Sequence, residues 1–216
     1  MMTSPRLGLA TAPPWFAPLL NYGAALPAIG IVSMAVADVF FGRSFMGADP
    51  IKQAEHELGE WTIRFLFASL AITPLRQLTG WNWLARHRRT LGLYGFAYGS
   101  VHFLTWALLD VQIGISEYVG WADVQKDLTK RPFIIVGMSA LLLMVPLAVT
   151  STARMIARLG RRWRTLHRLA YVIPALGVIH WWMSVKKDVA EPAMGAVVLA
   201  GLLGWRVVHA RRTASA

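Results

Sequence analysis

Apolar runs of about twenty residues alternate with shorter polar segments along most of the chain. A helix needs ~20 apolar residues to cross ~30 Å of hydrocarbon. The pattern predicts helices over 20–41, 60–78, 90–110, 132–150, 164–184 and 192–209. Pro132 and Pro192 sit where helices would begin, a position at which a missing N–H costs nothing. The polar connections at 42–59 and 111–131 read as loops. No internal repeat or low-complexity segment stands out. The expectation is all-α: six transmembrane helices forming a single domain over 1–216.

Composition strengthens the membrane reading. The chain is 56% hydrophobic and 15% charged, whereas soluble domains carry about 25% charged residues. No small-residue cleavage site precedes the first apolar run, so that run is expected to stay in the bilayer. The absence of cysteine excludes disulfides, iron–sulfur clusters and thiolate metal sites. Histidine is left as the main soft ligand. The net charge of +11 does not point to nucleic acid, because the basic residues sit between apolar spans.

Their distribution sets an orientation. Arg6, Arg76, Arg86, Arg88, Arg89, Arg154, Arg158, Arg161, Arg162, Arg164, Arg168, Arg206, Arg211 and Arg212 fall on one side, with no acid among them. The other side holds all 11 acidic residues. Positive loops stay inside, so both termini are expected in the cytoplasm and the acidic face outside. Trp61, Trp81, Trp83, Trp121, Trp181 and Trp182 fall near span ends, as in an aromatic belt.

The six histidines divide by depth. His87 and His209 fall in basic cytoplasmic segments and read as surface residues. His56 precedes the second span and reads as an interfacial hydrogen bond or a haem or partner contact. His102, His167 and His180 lie inside predicted spans. Ionisable groups there are costly and usually functional. No intramembrane carboxylate accompanies them to form a proton relay, and neutral imidazole is a common iron ligand. Gly92, Gly95 and Gly99 share the face of His102, and Gly177 stands three residues before His180. Such glycines suit either a flat macrocycle or close helix packing.

Depth selects the pair. At ~1.5 Å per residue, His102 and His180 differ by ~6 Å, whereas His167 is ~14 Å from the level of His102. His102 and His180 are therefore expected to share one iron. His167 is left for a second haem, or for a flavin or propionate contact. Pro174, between His167 and His180, is expected to distort the fifth helix.

The segments GADPIKQAEHELG (47–59), FLFASLAITPLR (65–76), RRTLGLYGFAYGSVHF (88–103) and LGRRWRTLHRLAYVIPALGVIHWWMSVK (159–186) resemble one known family. It is that of the haem-binding membrane subunits of the periplasmic methionine sulfoxide reductase system, MsrQ. The likeness covers most of 45–187, and the last segment is its most specific part. The family belongs to the ferric reductase-like transmembrane group, as do the NADPH oxidases. The resemblance implies one or two b-type haems, with FMN associated. It implies electron flow from the quinone pool or a cytosolic flavin reductase, across the bacterial inner membrane, to the periplasmic molybdopterin subunit MsrP. That partner reduces methionine sulfoxide in oxidised envelope proteins, so the chain would be an electron-transfer subunit with catalysis on its partner.

By resemblance His102, His167 and His180 are the haem histidines. The wider group has a further histidine where this chain has Arg88, followed by Arg89. Arginine cannot ligate iron, so His167 lacks its usual partner. Arg88, Arg89, Arg164 and Arg168 could instead hold propionates or a flavin phosphate, or simply obey the positive-inside rule. No Gly-rich dinucleotide loop is present. A ferric reductase or quinol-oxidising cytochrome is the alternative within the class. A transporter or a structural anchor fits the buried histidines less well.

Overall fold

The computed structural model describes residues 11–111, 121–185 and 189–214, and every regular element among them is helical. Arg6 and the segment 112–120 of the second expected loop lie outside the described residues. The helices are α1 (Phe16–Phe41), α2 (Pro50–Thr79), α3 (His87–Leu104), α4 (Trp121–Lys130), α5 (Phe133–Val149), α6 (Ala153–Leu159), α7 (Arg161–Leu166), α8 (Leu169–Ser184) and α9 (Ala190–Ala214). α3 runs on as a π-helix over Thr105–Asp110.

Several boundaries depart from expectation. The segment 50–59 is helix, not loop. Asp49 caps it by accepting from the Lys52 N–H at 3.0 Å, and Pro50 occupies the first turn. These are strong start signals, but they precede a polar stretch that hydropathy passes over. The second expected loop contains α4. It ends at Arg131–Pro132, where the residue before a proline disfavours helix, and the chain bends by 102° into α5. α9 begins two residues ahead of Pro192.

The fifth expected helix is not continuous. Its break falls at His167 and Arg168, and ahead of it Gly160, at φ +51°, separates α6 from α7. Pro174 does not interrupt it, because α8 runs unbroken from Leu169 to Ser184. His167 thus sits in a turn between α7 and α8, where a continuous helix was expected.

Phe16–Phe41 and Ala190–Arg212 are long and apolar enough to cross a bilayer, and α4 with α5 would add a third across its bend. α5 and α8 are apolar but only 17 and 16 residues long. Large apolar side chains such as Leu26, Phe40, Leu142 and Val197 point outward. A water-soluble surface would not tolerate so many; lipid does.

α2 packs along α3, and α5 along α8, in the two most extensive pairings. The glycine stripe of α3 serves this packing. A Cβ on Gly95 would meet Leu66 at 3.2 Å, and one on Gly99 would meet Thr62 at 3.3 Å. His87 is buried, contrary to expectation, with its ring edge-on to Phe16 at 5.0 Å. The start of α1 folds over it.

Candidate haem site

His102 lies near the end of α3, and His180 near the end of α8. Their ring centres are 6.1 Å apart and their planes stand 81° to one another. A ligating imidazole nitrogen lies about 2 Å from its metal and the ring centre about 1 Å further back, so two trans rings have centres about 6 Å apart. The observed separation suits two axial ligands on one iron.

The hydrogen bonds fix which nitrogen would ligate. His102 Nδ1 is 2.8 Å from the main-chain oxygen of Glu55, and His180 Nδ1 is 2.7 Å from that of Phe133. A carbonyl only accepts, so each Nδ1 carries the proton and donates it. Each Nε2 is left with a free lone pair. Metal-bound histidines are usually held in this way through the other ring nitrogen.

Both rings line a cavity of about 630 Å³, within the range of cofactor sites. Its walls include Ile63, Leu66, Leu141, Met144 and Ile173, and Lys52, Lys130 and Arg131 also border it. Gly99 and Gly177 line it as well, although a Cβ on Gly177 would strike Ile63 at 2.7 Å. Among the described residues no three His, Cys, Asp or Glu side chains converge on a metal position. A bare ion would find only two ligands here. Two suffice when a porphyrin supplies the rest, so the residues fit a haem.

A second cavity, of about 720 Å³, shares Leu66, Met144 and Ile173 with the first. The two are back to back across that apolar wall. The second is bordered by His167 and by Arg88, Arg89, Arg164 and Arg168, so the structure groups the sequence candidates into two sets. His167 is held differently from the other pair. Its Nε2 is 3.1 Å from Thr150 Oγ1, whose own proton goes to the Pro146 carbonyl at 2.6 Å. Nε2 must therefore donate, and the ring stacks on Trp163 at 4.0 Å between centres. His56 borders the first cavity and is exposed, and His209 is half-buried on α9.

Sequence reasoning missed Gly59 and Gly137. A Cβ on Gly59 would lie 3.2 Å from the His102 ring, and one on Gly137 would lie 2.7 Å from the His180 ring. The missed signal is a spacing. Each histidine follows its carbonyl partner by 47 residues. The hairpins α2–α3 and α5–α8 repeat one arrangement without looking alike in sequence.

Residues 58–178 match the family described as ferric reductase like transmembrane component. The chain is 47% identical over 198 residues to the protein-methionine-sulfoxide reductase heme-binding subunit MsrQ of Xanthomonas euvesicatoria, covering 90% of this chain and 88% of the relative. The protein of the same name in Xanthomonas campestris is 50% identical over 175 residues, 80% of this chain and 78% of the relative. That of Ralstonia nicotianae is 46% identical over 187 residues, 85% and 81% of the two chains. With the paired histidines in place and most of its length matched, the chain belongs to the MsrQ family of heme-binding subunits, within the ferric reductase-like transmembrane group.

Proposed function

We propose that the chain is a six-span, b-type cytochrome subunit that passes electrons across the inner membrane to a periplasmic molybdopterin methionine sulfoxide reductase, MsrP. The observation that carries this reading is the His102–His180 pair, 6.1 Å apart, with both Nδ1 protons committed to carbonyls. A haem bound there supplies reversible one-electron chemistry. The chain's residues provide two neutral nitrogen ligands, an apolar wall that keeps water away, and cations at the border. Arg131 is held for that role by ion pairs to Asp110 and Asp127, and Lys52 pairs with Asp110 at 2.5 Å. These cations suit propionates.

The second cavity is the proposed inward-facing site. Arg88, Arg89, Arg164 and Arg168 suit a second haem's propionates or the phosphate of FMN. His167, whose Nε2 is engaged by Thr150, keeps Nδ1 for a second haem or for a flavin or propionate contact in that cavity. Electrons would arrive there from the quinone pool or a cytosolic flavin reductase and pass across the wall at Leu66, Met144 and Ile173.

The test uses purified, prereduced protein with the matching periplasmic reductase and methionine sulfoxide. Reoxidation that requires both is the expected result. Reoxidation by a ferric chelate alone, indifferent to the reductase, would instead establish a ferric reductase.

A further inference from the structure

One device is built twice around the paired histidines. In α2, the Glu55 carbonyl accepts from His102, and four residues on stands Gly59. In α5, the Phe133 carbonyl accepts from His180, and four residues on stands Gly137. The spacing of four has a geometric cause. Helical Cβ atoms tilt toward the N-terminus, so residue i+4 stands over the carbonyl of residue i. A ring that bonds that carbonyl from the side crosses the place where the Cβ would be. A methyl on Gly137 would lie 2.7 Å from His180 Nδ1 and 2.8 Å from Cε1, and one on Gly59 would lie 3.3 Å and 3.2 Å from the same atoms of His102.

We propose that Gly59 and Gly137 are positioning residues that let the Glu55 and Phe133 carbonyls lock the two axial imidazoles at right angles. This rests on the reading that His102 and His180 ligate one haem. Each carbonyl fixes its own ring, and the 81° between the planes follows from where the two carbonyls stand. The angle has an electronic consequence. Parallel axial imidazoles split the two iron orbitals that overlap with them, whereas perpendicular ones leave that pair nearly degenerate. Ferric haem with perpendicular ligands gives a single large-g feature in its electron paramagnetic resonance spectrum. Parallel ligands give three well-separated g values.

Helix propensity opposes any trivial explanation of the variants. Alanine is a better helix former than glycine, so Gly137→Ala should strengthen α5 unless the His180 ring is displaced.

The experiment records ferric spectra and haem affinity for the purified wild type, Gly59→Ala, Gly137→Ala and Gly201→Ala. Nothing lies within 4 Å of a Cβ added at Gly201, which makes it the control. The wild type and the control should show the single large-g signal. Gly137→Ala should convert it to a three-line or partly high-spin spectrum and lower haem affinity on the order of ten- to a hundredfold. Gly59→Ala, with its looser contact, should shift the signal in the same sense by less, and it remains informative if Gly137→Ala does not fold. A wild type with two-histidine haem but a three-line spectrum overturns the proposal alone, as do glycine variants with wild-type spectra. A wild type without low-spin haem overturns the ligand assignment beneath it.

Discussion

Arg206 of α9 donates through Nη2 to the main-chain oxygen of Leu70 in α2, at 2.9 Å. That oxygen would normally accept from residue 74, which is proline and has no N–H to give. The same nitrogen bonds Thr73 Oγ1 at 3.0 Å, and Nη1 bonds the Tyr171 hydroxyl at 3.1 Å. A residue counted among the inward-facing cations therefore closes a gap that a proline opens 132 positions earlier.

Replacing Arg206 by Leu should destabilise the detergent-solubilised protein by about 2 kcal/mol, since a buried carbonyl loses a charged partner. In a Pro74→Ala background, residue 74 can serve that carbonyl and the same replacement should cost about half as much. Thermal unfolding of the four proteins in a double-mutant cycle measures the coupling. Equal costs in both backgrounds would show that Arg206 does not answer Pro74.

His102→Ala and His180→Ala should each remove the same haem, and the double variant should lose no more than either single one. His167→Ala should leave that haem's low-spin spectrum in place, because His167 borders the other cavity. Haem iron per protein and optical spectra decide. Loss of the His102-dependent haem in the His167 variant would refute the pairing.

Tyr98 stitches α3 to α1 just past a second proline, Pro27. Its hydroxyl accepts from the Ala28 N–H at 2.9 Å and donates to the Ala24 carbonyl at 2.7 Å. Tyr98→Phe should cost about 1–2 kcal/mol and leave haem content unchanged. Thermal stability measured with haem bound would show this, and a loss of haem would mean that α1 supports the site directly.

Orientation has its own check. Reporter fusions after Trp83 and Arg158 should be cytoplasmic, and one after Asp123 should lie outside. The reversed pattern would invert the proposed direction of electron flow.

The sequence by itself determined that the chain is helical and membrane-embedded, because hydrocarbon selects apolar runs of a fixed length. It also singled out His102 and His180 as a pair, since helical rise converts position into depth. It did not show the start of α2, where Asp49 and Pro50 act locally on a polar segment, or the break at His167, which no proline marks. The tertiary structure decided what depends on contacts between distant segments. Examples are the Nδ1 partners of His102 and His180, the Thr150 contact of His167, and the carbonyl that Arg206 serves. Gly59 and Gly137 belong with these, because a glycine's purpose lies in the side chain that occupies its space. Here that side chain is 43 residues away in both hairpins, too far for any local pattern to reveal.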